Sequence, residues 1–574
     1  MHNRWPLFLV TLISGLLLGW WSLQTPAPLP ASAPADQFSA GRAMADVRRL
    51  ASQPHPTGSA ANLAGVATLE RRLASLGFET RRVVTPLPQW PAKRLAKWGG
   101  NPVAPAISLV AVRAGLNRSL PAIALMAHHD SVWASPGAAD DIAGVAAALE
   151  IARAIPAASQ QRDLVLLLTD AEELGLVGAR AILAPGAADP VADRIGVLIN
   201  LEARGGGGRA MMFQTGPNNG ELVRRLAAVA PGASASSLAV TLYENLPNDT
   251  DFTPGKDRGL AGLNFAFIGE AWGYHSPLMT PDRLDQGAVQ HMGDSALAIT
   301  RDLVTSTTLP ARAPNAIFAS APFVGVIVYD VATGWALLGV TALLLTLVAY
   351  WRRSDWSMGG ALMAFGQALL VLIIAGLLMF GLNLLSGSVG GEYYDRLAAL
   401  PRLELVAGLA IAAVLLFLAA APAGTLWDRW LTWVKLSFVA ALAAQILLPG
   451  AGPVFAWPAL LGAIAAVIAA RPGATGMAQM LPATAVAIPG LALGAELFHF
   501  AFLGIGAPMP FATVPLLIPV LALIAPLVPD GPKRPVVLAG SAAIALAAAT
   551  ALWVNLDAPA PSVPPYAGTE KKQG

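Results

Sequence analysis

The sequence predicts an α/β domain with a mostly parallel central sheet flanked by helices, joined to an all-α domain that crosses a membrane several times. Three observations carry this. Short apolar runs alternate with helical stretches through the first half of the chain. After about Phe323 the chain turns into long uncharged runs with short polar breaks. Charged residues are 13% of the 574, against 55% hydrophobic; a soluble domain carries about 25% charged. The charges that are present concentrate between Ala31 and Ser320.

Taken in order, Leu7–Leu23 is free of charge and follows Arg4. It reads as a transmembrane anchor or as the apolar core of a signal peptide; Ala31-Ser32-Ala33 resembles a cleavage site, and the length of the run favours the anchor. Thr25–Pro34 is rich in Pro and Ala and reads as a linker. The expected division is therefore 1–30 anchor and linker, 31–320 α/β domain, 325–556 an eight-span membrane domain and 557–574 a flexible tail.

Within the α/β domain, Ala122–Ala127, Leu164–Thr169, Ile195–Leu201 and Leu263–Ile268 are short apolar runs suited to buried strands. Ile142–Ile155 and Glu221–Ala230 read as helices between them. In such sheets chemistry gathers beyond the carboxyl ends of the strands.

The expected spans are Val331–Tyr350, Ala361–Leu385, Leu403–Ala421, Leu431–Leu448, Val454–Ala470, Met477–Phe498, Phe511–Val528 and Val536–Val554, with prolines inside Met477–Phe498 and Phe511–Val528. Arg352 and Arg353 follow the first span. Arg429, Lys435, Arg471, Lys533 and Arg534 fall in or beside every second loop after that, and the opposite loops hold only Arg396 and Arg402. Basic loops stay in the cytoplasm, so the α/β domain is expected on the other side.

The chain has no Cys, which excludes disulfides, Cys-ligated metal and a cysteine nucleophile. Its net charge is +2 with no basic run or aromatic platform, so nucleic acid is not an expected partner. The expected partners are a peptide and the lipid bilayer.

Four strand ends carry acids or histidines. The first ends in AHHDSV (127–132) and is followed by Asp140-Asp141. The second ends in TDAEELG, with Glu172-Glu173. The third ends in NLEARG, with Glu202, and a later strand leads to WGYHSPL, with His275. Histidine is scarce, 7 in all, so His128 and His275 among these carboxylates point to one centre. Imidazole nitrogen and carboxylate oxygen are the donors zinc takes. Two zinc ions sharing one carboxylate need five protein ligands, and His128, Asp140, Glu173, Glu202 and His275 supply them. Asp130 is placed to accept the second imidazole proton of His128. One carboxylate must stay off the metal to take a proton, and the Glu172-Glu173 pair divides base from ligand. Singly, each motif has a structural reading: Asp141 supports Asp140 or caps a helix, His129 is a wall residue, and His55, His291 and His499 are structural.

Together these residues resemble the zinc exopeptidase family of aminopeptidase Y and glutamate carboxypeptidase. The resemblance is strongest to the branch holding the endoplasmic-reticulum metallopeptidase and the vacuolar membrane protease. It covers about residues 55–285. It rests on His128-His129-Asp130, on Asp140 twelve residues after His128, on Glu172-Glu173, on Asn200-Leu201-Glu202 and on Tyr274-His275-Ser276, with HPTGS (55–59) and NDTDF (248–252) beside them. The resemblance implies two zinc ions per chain bridged by Asp140, Glu172 as general base, Glu173 as ligand, and an aminopeptidase, periplasmic if the membrane is bacterial. Two departures stand out. Met279 occupies the position, four after His275, where the family often has Asp, with Asp282 nearby; and the third acid is Glu202 rather than Asp. Alternative readings are a glutaminyl-cyclase-type aminoacyl transferase, an inactive receptor or chaperone and, last, a transporter with a peptidase-like sensor.

Overall fold

A computed structural model describes residues 4–355, 357–389, 393–474, 476–530 and 533–557. The tail expected after Asp557 lies outside the described residues. The chain forms two units, one running from Thr25 to Ser320 with residues 324–328, the other holding the first helix and the chain from Tyr329 onward.

The first unit is built on an eight-stranded sheet: β1 (Glu79–Thr85), β2 (Ala106–Arg113), β3 (Ala122–His128), β4 (Leu164–Thr169), β5 (Ile195–Ala203), β6 (Met211–Thr215), β7 (Ser234–Ala235) and β8 (Ala261–Phe267), in the order β1-β2-β4-β3-β5-β8-β6-β7. β4, β3, β5 and β8 are mutually parallel; β1, β2 and β6 join antiparallel at the flanks. The sheet is thus parallel where the apolar runs are continuous and mixed at its edges. β3 and β4 are buried along their whole length. They must be covered on both faces, which is why they read as unbroken apolar runs rather than alternating ones.

The first helix of the chain is α1 (Trp5–Ser22). In the first unit the helices are α2 (Ala40–Leu50), α3 (Ala60–Ser75), α4 (Gln89–Lys97), α5 (Ile142–Ala154), α6 (Val177–Leu183), α7 (Gly220–Val229), α8 (Ser237–Glu244), α9 (Phe252–Asp257) and α10 (Gln286–Thr305). Side chains alternate across the strands. Ile123, Leu125 and Ala127 pack with α2, α3, α5 and α10, while Ala122, Ala124 and Met126 pack with α6 and α9. α5 is mostly alanine on its buried side, so it lies close against the sheet. Close packing also explains Gly293 in α10: a Cβ there would stand 2.2 Å from the ring of the fully buried Phe38.

The second unit holds α11 (Val331–Trp351), α12 (Met358–Leu385), α13 (Tyr393–Ala398), α14 (Leu400–Ala420), α15 (Leu426–Leu447), α16 (Gly452–Ala469), α17 (Met477–Ala501), α18 (Leu517–Ile524) and α19 (Lys533–Leu556). Among the described residues, and including α1, 8 helices are long and apolar enough to cross a membrane. The expected span Phe511–Val528 is not one of them. It breaks into a 3-10 turn, Pro510–Leu516, and the short α18. Pro515 and Pro519 lack the N–H that an unbroken helix needs. α1 packs along α17: Gly15 faces Leu491, and Gly19 faces Ala492 and Ala495, so closely that a Cβ on either glycine would come within 2.5–2.7 Å of these side chains. Small residues that let helix backbones approach are the usual contact between helices in lipid.

Candidate metal centre

Every side chain singled out from the strand ends lies at one edge of the sheet, beyond the carboxyl ends of β3, β4, β5 and β8. His128 closes β3. Its Nδ1 is 3.1 Å from the Asp130 carbonyl oxygen and 3.4 Å from Asp130 Oδ1. Donation there puts the ring proton on Nδ1 and leaves the Nε2 lone pair for a metal. Asp130 also accepts the backbone N–H groups of Glu172 (3.1 Å) and Glu173 (3.3 Å), tying the end of β3 to the loop after β4. Burial alone would raise the Asp130 carboxyl, but the bond to His128 outweighs it and holds the carboxyl below its ordinary range.

Asp140 stands between the two histidines. Its Oδ1 is 3.0 Å from His128 Nε2, and its Oδ2 is 2.9 Å from His275 Nε2. His275 Nε2 is also 2.9 Å from Glu173 Oε1, and Glu202 Oε2 is 4.0 Å from His128 Nε2. The cluster therefore has two halves, His128 with Glu202 and His275 with Glu173, meeting at one carboxylate. Asp141 lies near His128 and Glu202 as well. However, Asp141 Oδ2 accepts the His128 N–H at 3.2 Å and Oδ1 accepts the Gly144 N–H at 3.2 Å, which caps α5.

The loops bend to present these groups. Ala171 (φ 60°), just before Glu172, and His275 (φ 55°) both adopt left-handed backbone, which non-glycine residues seldom do. Such positions cost about 1–3 kcal/mol each and persist where surrounding structure holds them. Tyr274 stacks on the His275 ring with centroids 3.6 Å apart. Met279 is buried in the main apolar core, where its carbonyl accepts the Ala138 N–H at 3.3 Å, while Asp282 is exposed. The position four after His275 thus packs among apolar side chains, and Asp282 lies at the surface.

Electrostatics mark the cluster as short of positive charge. Burial, only partly opposed by His128, pushes the Glu202 carboxyl up to about 8. Burial, with Glu173 and Glu202 nearby, pushes Glu172 well above its ordinary value. Burial alone would lower His275, but Glu173 and Asp140 outweigh it and raise it to about 9. Asp140 is held well below the usual carboxylate range by its two imidazole bonds, against burial. A buried group of this kind holds protons unless cations replace them.

The donor set fits zinc, which takes imidazole nitrogen and carboxylate oxygen. Donor atoms of His128, Asp140 and Glu173 lie within 4.8 Å of one another, as do those of His128, Asp141 and Glu202.

Other residues form the frame. His129 Nε2 is 3.0 Å from the Ile107 carbonyl oxygen, a wall contact. In HPTGS, the His55 N–H donates to Ser131 Oγ (2.9 Å) and the Thr57 hydroxyl to Asp170 Oδ1 (2.9 Å). Asp170 Oδ2 also accepts the Ile107 N–H at 2.7 Å. This segment therefore fastens the floor of the centre to β2. Asp251, fully buried and bonded to the Thr169 hydroxyl, lies close enough to Glu172 and Glu202 to raise both. Reading strand ends missed Asp170 and Asp251 as partners of the centre. The signal for Asp251 was the segment NDTDF, which carries part of the resemblance noted above without a role for its acids.

Fold and centre together place this chain beside the metal-dependent peptidases: residues 109–300 match the model of peptidase family M28. More particularly, the chain is 38% identical over 193 residues to endoplasmic reticulum metallopeptidase 1 of Mus musculus, covering 33% of this chain and 21% of that one. It is 30% identical over 319 residues to the vacuolar membrane protease of Clavispora lusitaniae, covering 52% of this chain and 30% of that one. The matched part thus spans less than a third of either relative. Among solved structures, an aminopeptidase from Aneurinibacillus sp. strain AM-1 aligns with 49% of this chain and 97% of its own, at 14% identity and a TM-score of 0.38.

Proposed function

We propose that this chain is a membrane-anchored two-zinc aminopeptidase acting outside the cytoplasm, on the periplasmic side if the membrane is bacterial. One observation carries the reading: the two oxygens of Asp140 face two different imidazoles, His128 and His275. In this reading His128, Glu202 and Asp140 would hold one ion, and His275 and Glu173, with Asp140 shared, would hold the other. Bound zinc would lower the pKa of a water and polarise the scissile carbonyl. Glu172, half-buried beside the ligands, accepts the proton of the attacking water on a carboxylate oxygen and passes it to the leaving amine nitrogen. Asp130 holds His128 in the tautomer that faces the metal and fixes the backbone of Glu172.

The amino-terminal direction rests on charge. Among the described residues, no lysine or arginine stands within ion-pairing distance of Asp140, Asp141 or Glu202. An acid-rich recess suits a substrate ammonium better than a carboxylate. The extracytoplasmic side rests on the Lys/Arg pattern of the loops. The test combines metal analysis of the purified full chain with cleavage of peptides bearing free or acetylated amino termini. The expected result is two zinc ions per chain and hydrolysis only where the amino terminus is free. Efficient release of carboxyl-terminal residues from acetylated peptides would reverse the direction. One ion per chain, with cyclisation of amino-terminal glutamine and no hydrolysis, would favour the aminoacyl transferase.

A further inference from the structure

Residues 80–129 contain no Asp or Glu, yet Arg and Lys recur through them. Most of these cations are engaged. Arg81 pairs with Asp189 and Arg82 with Glu70; Arg118 faces Asp163; Arg113 is buried against Gln160. Lys93 and Lys97 are not engaged in this way. They lie one turn apart on α4, both exposed, and among the described residues neither has a carboxylate within ion-pairing distance. The Arg94 guanidinium lies 5.1 Å from the ring centre of Trp90 and 5.4 Å from that of Trp98. The outer face of α4 is therefore cationic and aromatic.

The inner face of α4 rests on the loop that carries Glu172 and Glu173. Leu95 is fully buried with Ala171, Leu174 and Val177, and Leu87 and Trp98 pack around them. Trp90, 58% exposed, covers Gly175, where an added Cβ would meet its ring at 3.4 Å. Gly175 (φ 102°) is itself exposed and stands three residues after Glu172. The row Trp90, Lys93, Lys97 thus begins beside the carboxylate assigned as the base. The centre is lined by carboxylates and the adjoining face of α4 is cationic. A peptide whose ammonium sits in the recess would run out past the scissile bond onto a surface of opposite charge.

We propose that α4 is a specificity-determining rim that takes carboxylates of the peptide beyond the scissile bond, so that the preferred substrates are acidic peptides. The proposal rests on the exopeptidase reading above. Side-chain carboxylates and the free carboxyl terminus of a short peptide share the required chemistry. Lys93 and Lys97 recognise the charge, and Trp90 supplies a flat surface for the chain. An interfacial helix against anionic lipid has a similar composition. The peptide is favoured because α4 is seated on the base-bearing loop and Trp90 covers Gly175.

The experiment uses the full-length zinc-loaded protein in neutral detergent. It compares Ala-Asp-Asp-Asp with Ala-Lys-Lys-Lys, each as free acid and as carboxyl-terminal amide, by turnover and by equilibrium binding of dye-labelled forms. The wild type should favour the Asp peptide by ~10-fold or more in kcat/KM at low salt, mainly through KM. Lys93→Glu/Lys97→Glu should invert the preference and Lys93→Gln/Lys97→Gln should level it, on the scale expected when two exposed charge pairs are lost or reversed. A drop on amidation alone would assign the rim to the free carboxyl terminus, and a drop on Asp replacement alone to side chains. Equal use of both peptides by the wild type, or an unchanged preference in both double variants, would overturn the inference. So would a preference that appears only in vesicles containing anionic lipid. If nothing is hydrolysed but Asp-peptide binding persists and Lys93→Glu/Lys97→Glu abolishes it, the exopeptidase reading fails while the rim stands.

Discussion

Glu172 and Glu173 leave β4 by the same loop yet meet different surroundings. Glu173 Oε1 faces His275 at 2.9 Å, whereas Glu172 is half-exposed and held through its backbone by Asp130. Glu173→Gln should therefore lower zinc content. Glu172→Gln should keep zinc and fold while turnover falls ~10²–10⁴-fold, the usual weight of a general base. Zinc loss in Glu172→Gln with retention in Glu173→Gln would invert the roles. A second expectation concerns the metal-free protein. Glu202 titrates near 8 when folded against 4.5 when unfolded, so the stability it lends below pH 4.5 is lost as pH rises towards 8. His275, raised from 6.5 to about 9, has the same sign: its stability is complete below 6.5 and gone above about 9. Asp140, whose carboxyl is depressed, acts only in acid, outside this window. Chelated protein should thus melt progressively lower from pH 5 to pH 9, and the gap to zinc-loaded protein should widen. A gap independent of pH would contradict this. The residues that converge here were legible because strand ends in a parallel sheet converge. Asp170 and Asp251 were not, because their work is to brace backbone and neighbouring acids, which leaves no spacing to read.

At the scale of elements, continuous apolar runs revealed the four central strands, with ends within a residue or two of those observed. The edge strand β1 and its neighbour β2 escaped. β1 is half-exposed and carries Arg81 and Arg82, so no apolar period marks it. The broken helix at 510–524 shows the opposite failure, since composition alone reads it as a span and only its prolines say otherwise. α1 gains meaning from its contact with α17. Gly15→Leu or Gly19→Leu would force side chains into space already filled by Leu491, Ala492 and Ala495. Overpacking of this kind costs about 1–3 kcal/mol. Thermal unfolding in detergent should show a lower midpoint for either variant, while Gly339→Leu, where a Cβ meets nothing within 4 Å, should not. Equal midpoints for all three would mean that α1 is not held by this contact.

For the whole molecule, the orientation argument makes a direct prediction. Reporter fusions at Ser306 and Ser354 flank α11 and should report opposite sides, Ser354 in the cytoplasm, because Arg352 and Arg353 lie beside it. The same side for both would sink the argument. The order of the sheet has a further consequence. Asp140 and His275 are 135 residues apart in the chain, and β8, which leads to His275, lies in the sheet between β5 and β6. A chain cut short before β8 carries His128, Asp140, Glu172, Glu173 and Glu202 and lacks only His275 of the side chains that meet here. Under the two-ion proposal, the second ion would gain its imidazole only once β8 is in place, so a full metal complement would report a completed sheet.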